Sequence, residues 1–307
     1  MPETADSSLI IPPLPEKGDT FGIIAPAGPW KDEEFQKGIS ILEGHGFRVK
    51  LPAPLPAGQG YLAGSDRQRL KAFEQIWQDP EVKVVMPARG GYGSLRLLNL
   101  LDYRFIRANP KLLVGFSDVC CILQALYRYC GLLAFHGPML TTLNKCNRTS
   151  LEFLFEQLSG RVSRISPDRI KILKAGDATG ILSGGNLTTL AHLTSTAYEI
   201  SWQDKIIFLE DVGESPYRID RLFTHLYMAG KFKGIRGLIL GEFSNCGDEE
   251  DIWDLVLELF QKEDFPIWAD FPVGHGLRNL TLPLGVEAGM DSARKELSFT
   301  LSGTRLF

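Results

Sequence analysis

The sequence predicts an α/β protein: a parallel sheet in the N-terminal half, followed by a smaller α+β unit. Two observations support this prediction. Short apolar runs alternate with helical patterns up to about residue 150, and beyond that point strands and helices are mixed without that alternation. Strands alternating with helices are typical of a parallel sheet covered on both faces. We therefore expect an N-terminal domain at residues 1–158, a polar, turn-rich linker at 159–178 and a C-terminal domain at 179–307.

The elements of the first half follow from apolar spacing and capping residues. Residues 32–43 carry apolar side chains on one helical face and end at two glycines. Ser65 and Gln68 form a capping box before a helix that buries Trp77. The same reasoning predicts strands at 20–25, 82–86 and 111–116, and helices at 94–101, 118–130 and 151–158.

The second half mixes fewer helices with more strands. Strands are predicted at 206–209, 237–240 and 297–301, and helices at 217–228 and 252–261. Residues 265–287 contain several prolines and glycines and little helical periodicity. This mixture of strands, helices and irregular segments indicates an α+β unit.

Composition excludes several classes of function. Hydrophobic residues make up 44% and charged residues 23% of the chain, as in folded globular proteins. The net charge is −4 and no basic stripe is present, so no nucleic-acid partner is expected. The longest apolar runs are too short to cross a bilayer, and residues 1–19 lack the pattern of a secretory signal. With five cysteines and no C-x-x-C, we expect a cytoplasmic protein with reduced thiols and no membrane partner.

A serine occupies a predicted strand-to-helix corner in the segment VGFSDV at 114–119. A serine on such a sharp turn has its hydroxyl lifted above the sheet, and the N–H of Asp118 can donate to an oxyanion. Val119 replaces the second glycine of the G-x-S-x-G pattern. Taken alone, the segment fits a nucleophilic Ser117 and a plain N-cap serine equally well.

A glycine-rich segment, ARGGYG at 88–93, follows the neighbouring strand. Three glycines in four residues let the backbone approach a ligand and present N–H groups to an anion. The spacing fits neither the dinucleotide nor the Walker pattern, so nucleotide binding is weakly supported. A flexible turn before a helix is the alternative.

His275 and Glu210 are candidates for a base and its orienting acid. His275 has a glycine on either side, which can hold an imidazole in one pose, although a generic loop histidine has the same appearance. Glu210 ends a strand that runs into further carboxylates, where it can orient a histidine or belong to a solvated turn. His136 follows an apolar strand, a position from which it could face a cleft. No histidine spacing fits a zinc site, so no metal is expected.

Six of these segments together resemble the LD-carboxypeptidases, also called muramoyltetrapeptide carboxypeptidases, a family of serine peptidases. The matching segments, in the family's order, are 22–28, 88–93, 114–118, 183–187, 208–211, and 274–276 followed by 281–285. The resemblance implies a Rossmann-like N-terminal domain, similar to class I glutamine amidotransferases, and a smaller β-rich C-terminal domain.

The resemblance also implies the roles of particular residues. It implies a triad of Ser117, His275 and Glu210, with Glu214 as the second choice for the acid. The implied oxyanion donors are the backbone N–H groups of Gly91 and Asp118. Substrate contacts are expected at Arg89, Gly90 and Tyr92, with Arg89 facing a substrate carboxylate.

The activity implied by the resemblance is hydrolysis of the L,D-peptide bond between meso-diaminopimelate or lysine and the terminal D-alanine of murein tetrapeptides. It would operate in cell-wall recycling, without metal or organic cofactor, in a homodimer. An immunity peptidase acting on microcin C-type antibiotics would share the triad, so that alternative stays open. A non-catalytic binding protein of two α/β lobes is the other alternative.

Overall fold

The computed structural model describes residues 9–301 except 57 and 59, together with the backbone of residues 304–305. Of the N-terminal segment 1–19, for which the sequence predicts no secretory signal, residues 1–8 lie outside the described residues. The described helices are α1 (Asp32–Gly44), α2 (Asp66–Gln78), α3 (Tyr103–Ala108), α4 (Cys120–Cys130), α5 (Arg148–Leu158), α6 (Leu187–Ala191), α7 (Pro216–Met228) and α8 (Glu249–Leu259).

The strands of the described residues form two large sheets and one short pair. They are β1 (Ile10–Ile11), β2 (Thr20–Ile24), β3 (Arg48–Lys50), β4 (Val82–Pro87), β5 (Leu112–Gly115), β6 (Ala134–His136), β7 (Arg164–Ile165), β8 (Lys171–Lys174), β9 (Ala178–Asn186), β10 (Lys205–Val212), β11 (Gly237–Ser244), β12 (Ile267–Ala269), β13 (Leu282–Leu284), β14 (Glu287–Asp291), β15 (Glu296–Thr300) and β16 (Thr304–Arg305). Strands β1 and β16 form the short pair.

The first sheet has the strand order β13-β6-β5-β4-β2-β3, and its neighbours from β6 to β3 are parallel. The predicted parallel sheet is confirmed. Strands β2 and β5 are buried along their whole length, which is typical of parallel strands covered on both faces. Because parallel strands end at the same edge, the segments after β4 and β5 meet there. These are the glycine-rich segment and the Ser117 corner.

The second sheet has the order β7-β15-β14-β9-β10-β11-β12-β8. Its central strands β9 to β12 are parallel, and the outer pairings are antiparallel. Glu210 lies near the end of β10, and the loop with His275 follows β12. The second half therefore supplies the predicted β-rich domain, with a parallel centre that places Glu210 and His275 at one edge.

The segment 159–178 is more than the linker that the sequence predicts. It contains β7 and β8, which pair with β15 and β12 at opposite ends of the second sheet. Strand β13, in turn, belongs to the first sheet although it comes from the second half of the chain. These strands are too short to show a periodic pattern, so their partners could not be inferred. The domain limits at 158 and 179 stay a prediction.

Two predicted helices differ from those observed. The helix predicted at 94–101 is a single 3-10 turn at Ser94–Leu97. The helix predicted at 118–130 begins as a 3-10 turn at Ser117–Val119 and becomes α4 at Cys120. The tighter first turn follows from the abrupt change of chain direction at Ser117. No described helix combines the length and apolarity needed to cross a membrane.

A glycine within β9, opposite Phe208 of β10, permits the close pairing of the two strands. Gly184 has a φ of +141°, and a Cβ at this position would overlap the backbone of Phe208. We expect Gly184→Ala to lower the free energy of unfolding by about 3 kcal/mol or more, because the strands must separate and the φ must change. Chemical denaturation measures this loss. Gly44→Ala, with open space at its Cβ, should change stability by less than about 1 kcal/mol, and equal losses would contradict the explanation.

Candidate active site

Ser117 stands at a strained corner between β5 and α4. Its φ is +62°, in the left-handed region that residues other than glycine seldom adopt. A Cβ added to Gly90 would lie 3.1 Å from the Cβ and 3.2 Å from the Oγ of Ser117. Glycine at position 90 therefore lets the glycine-rich segment pass directly beside the serine hydroxyl.

Two hydrogen bonds to other segments hold the glycine-rich segment next to Ser117. Gly28 donates its N–H to the carbonyl of Gly90 at 3.0 Å, and Ser94 donates its N–H to the Asp118 carboxylate at 2.8 Å. Gly91 has a φ of +111°, and its N–H has no acceptor among the described residues. The segment therefore offers an N–H group that is free to bind an anion beside Ser117.

A buried arginine that the sequence analysis missed supports this segment. Arg69 is fully buried in α2 and donates to the carbonyls of Pro26 and Gly93. Its Nη2 also forms an ion pair with Oδ1 of Asp66 at 2.5 Å. The signal was present in the helix periodicity: Arg69 occupies the buried face that also carries Ala72, Phe73 and Ile76. A charged residue at a core position needs buried partners, and here those partners are the backbone around the glycines.

His275 and Glu210 form a direct hydrogen bond. The Nδ1 of His275 lies 2.6 Å from Oε2 of Glu210, whose side chain is fully buried. Gly274 makes the approach possible, because a Cβ there would lie 3.1 Å from Cβ and from Oε2 of Glu210. A Cβ at Gly276 would overlap the Glu242 carboxylate, so that side chain would have to move. The two glycines that flank His275 therefore have a steric explanation.

The charges of this pair stabilise each other. Burial raises the pKa of Glu210, but the opposing effects of His275 and His136 lower it to about 2. Burial lowers the pKa of His275, but the charge and hydrogen bond of Glu210 raise it above its ordinary value of 6.5. The buried carboxylate therefore stays ionised and favours the protonated form of His275.

We expect an NMR titration of His275 to give a pKa above 6.5, and Glu210→Gln to lower that pKa by removing the negative charge. The histidine part of the pair then stabilises the fold fully below pH 6.5, and this contribution is lost as the pH rises through the raised pKa. The lowered pKa of Glu210 adds stability above pH 4.5 that is lost as the pH falls towards 2. A His275 pKa that is unchanged in Glu210→Gln would contradict this coupling.

Glu214, the second choice for the acid, lies elsewhere. Its carboxylate is 3.4 Å from Arg218 in the first turn of α7. Among the described residues it makes no hydrogen bond to His275, whereas Glu210 does. The geometry therefore favours Glu210 over Glu214 as the partner of the histidine.

Phe116 lies between His275 and the turn that carries Ser117, and its ring packs against the imidazole. The ring centroids of Phe116 and His275 are 4.7 Å apart, and Phe116 directly precedes Ser117. In the part of the chain that the structure describes, Ser117 and His275 make no hydrogen bond to each other. Catalytic hydrogen bonds of free enzymes are often long and tighten only with substrate. Serine, imidazole and carboxylate thus lie in one region, with the hydrogen bond between His275 and Glu210 formed.

Of the three residues expected to contact a substrate, Arg89 and Tyr92 are exposed, whereas Gly90 is buried. Arg89 is exposed and donates to the carbonyl of Pro29 at 2.8 Å. Tyr92 is 46% exposed, and its ring lies 5.9 Å from that of Tyr61.

Three potential metal ligands cluster around the Glu210 carboxylate. Ligand atoms of Cys120, His136 and Glu210 lie within 4.8 Å of one another, and all three residues are buried. Spacing along the chain could not show this cluster, because each residue comes from a different element. Gly185 packs tightly there, since its Cβ would lie 2.7 Å from the Cys120 sulfur. Burial also raises the pKa of Cys120 well above its ordinary value, which disfavours the thiolate that zinc requires.

Comparisons with known proteins cover most of the chain. The family model described as the LD-carboxypeptidase N-terminal domain matches residues 21–137, and the C-terminal domain model matches residues 179–290. A probable murein peptide carboxypeptidase of Bacillus subtilis is 36% identical over 292 residues, which cover 91% of each chain.

Two solved structures share the fold of this chain, and a further relative resembles it in sequence. The muramoyltetrapeptide carboxypeptidase of Oxalobacter formigenes superposes with a TM-score of 0.81 at 30% identity, covering 93% of this chain and 100% of that one. The microcin C7 self-immunity protein MccF of Escherichia coli is 28% identical, with 92% of this chain and 93% of that protein covered. A structure of MccF in complex with glutamyl sulfamoyl guanosine gives a TM-score of 0.87 at 24% identity, a likeness of fold.

Proposed function

The chain belongs to the LD-carboxypeptidase family, and we propose that it is a serine carboxypeptidase acting on murein tetrapeptides. The bond cleaved joins the L-centre of meso-diaminopimelate or lysine to the terminal D-alanine. One observation carries the proposal: the buried Glu210 holds His275 at 2.6 Å, and the His275 ring packs on Phe116, which precedes a serine whose φ of +62° is typical of a nucleophile elbow. The 36% identity to a probable murein peptide carboxypeptidase supports the choice of substrate.

In the proposed mechanism the serine acts as a covalent nucleophile. His275 takes the Ser117 proton while Oγ attacks the carbonyl carbon and forms a tetrahedral intermediate. The C–N bond then breaks, and D-alanine leaves with the proton that His275 returns to its amine. Water, activated by the same imidazole, hydrolyses the acyl-enzyme and regenerates Ser117. Glu210 fixes the imidazole tautomer and stabilises its charged form.

The proposed oxyanion hole is formed by backbone N–H groups of Gly91 and Asp118. The free N–H of Gly91, next to Gly90 at the serine hydroxyl, supports this assignment. Asp118 follows the serine in the first turn of the helix, where its N–H has the position of an elbow donor. Each donor should contribute about 3 kcal/mol to transition-state stabilisation.

Substrate contacts are proposed for Arg89, Gly90 and Tyr92. A murein tetrapeptide carries free carboxylates, for which the exposed guanidinium of Arg89 is a suitable partner. The open Tyr92 ring, paired with Tyr61, offers an apolar wall to the rest of the peptide. We further propose a cytoplasmic homodimer. The five free cysteines support a reducing compartment, and the dimer rests on the family resemblance.

The test of this proposal compares substrate classes. Purified protein is incubated with a murein tetrapeptide, with the same peptide ending in L-alanine, and with glutamyl sulfamoyl guanosine, and the products are separated by mass spectrometry. We expect D-alanine and the tripeptide from the first substrate only. Cleavage of the nucleotide conjugate alone would favour the microcin-type alternative, and binding without any cleavage would favour a binding protein.

A further inference from the structure

His136 lies where the three segments of the proposed triad meet. In the first sheet β6 pairs with β5 so that His136 is opposite Gly115, two residues before Ser117. On its other side β6 pairs with β13, where His136 is opposite Leu282 in the strand that follows the His275 loop. Glu210, from the second sheet, reaches this residue across the boundary between the sheets.

The carboxylate of Glu210 has one oxygen without a hydrogen bond. Oε2 accepts from His275, whereas Oε1 has no partner within hydrogen-bond distance among the described residues. The Nε2 of His136 lies 3.8 Å from Oε1, and both side chains are fully buried. Neither ring nitrogen of His136 has another partner in the described chain. A buried, ionised oxygen left unpaired is costly, and a movement of about 1 Å would bring Nε2 into hydrogen-bond range.

The surroundings keep the imidazole of His136 facing Glu210. Its ring packs edge-on against two phenylalanines, with ring centroids 4.9 Å apart for Phe208 and 5.9 Å apart for Phe116. The neighbouring Cys120 sulfur already accepts the N–H of Asn186. Two aromatic rings therefore pack against the imidazole, and the nearby Cys120 sulfur already has a hydrogen-bond donor.

We propose that His136 is a positioning residue that donates its Nε2–H to Oε1 of Glu210. This contact keeps the carboxylate from rotating, so that Oε2 stays on Nδ1 of His275 when that imidazole receives the serine proton. It also ties the sheet that carries Ser117 to the acid of the other sheet. The inference rests on the proposed function for its kinetic consequence, but the hydrogen bond itself can be tested without a substrate.

The experiment compares His136→Leu with His136→Gln. Leucine fills the site without a donor, whereas the glutamine amide nitrogen can occupy the place of Nε2. Proton NMR of histidine-labelled protein follows the Nδ1–H signal of His275, assigned by its loss in His275→Gln. We expect the signal to shift and broaden in His136→Leu and to return in His136→Gln. Cys120→Ala disturbs the same cluster without removing a donor to Glu210, and should leave the signal in place.

Kinetics provide the second measurement. We expect kcat for D-alanine release to fall about 10- to 100-fold in His136→Leu, as for other groups that orient a directly acting side chain, with KM changed less than about threefold. His136→Gln should recover most of kcat. If His136→Leu does not fold, His136→Asn, whose shorter amide cannot reach Oε1, replaces it.

The outcomes separate this inference from the proposed function. An unmoved His275 signal in His136→Leu, or an equal loss of signal in both variants, overturns the positioning role even if the enzyme is active. A wild type that releases no D-alanine contradicts the proposed substrate, while the NMR comparison still decides the role of His136.

Discussion

Ser117→Ala is expected to abolish D-alanine release, with kcat reduced by at least about 10,000-fold. Without Oγ no acyl-enzyme can form, and only the oxyanion donors and substrate binding remain to assist direct attack by water. The variant should still bind the tetrapeptide, because alanine removes one atom from a half-buried position and leaves the substrate contacts in place. A product assay by mass spectrometry and a binding isotherm by calorimetry measure the two properties.

The matched control for this variant is Ser195→Ala. Ser195 also has a φ of +62°, but it is exposed and lies in the turn after α6. Its replacement should leave the release of D-alanine unchanged, so any general cost of replacing a serine at positive φ is accounted for. Release that persists in Ser117→Ala would show that Ser117 is not the nucleophile.

Glu210→Gln is expected to lower kcat by about 10,000-fold, with a smaller effect on KM. The amide has nearly the volume of the carboxylate, but it no longer stabilises the charged imidazole and can hold His275 in the wrong tautomer. Glu214→Gln is the matched control, because Glu214 is the other acid that the sequence offered and it pairs with Arg218 instead. Full activity in Glu210→Gln together with loss in Glu214→Gln would reverse the assignment.

Much of the fold could be predicted because its elements are locally encoded. The helix with its capping box at Ser65 and Gln68 and the buried strands β2, β4 and β5 carry periodic or apolar signals within a few residues. The placement of β13 in the first sheet could not be predicted. Three apolar residues have no preference for one edge strand over another, and their partner β6 lies nearly 150 residues earlier in the chain.

The site was predicted in part for the same physical reason. Ser117 and the glycines stand at the ends of strands, where local sequence marks a turn, and the glycines around His275 mark a tight loop. The nearest polar groups of Arg69 and His136 are distant in sequence: the backbone around Gly93 and the carboxylate of Glu210. Helical periodicity places Arg69 on the buried face of α2, but only the folded chain brings these partners together, so the partners themselves could not be predicted.

The central claim is that hydrolysis passes through an acyl-enzyme on Ser117, and trapping that species tests it most directly. Wild-type protein is mixed with excess tetrapeptide in the presence of EDTA, quenched in acid within milliseconds, and analysed by intact mass and peptide mapping. We predict a tripeptidyl adduct on the peptide that contains Ser117, formed despite EDTA and absent from Ser117→Ala. D-alanine release without any adduct, together with its loss on addition of EDTA, would contradict the account and indicate metal-dependent hydrolysis.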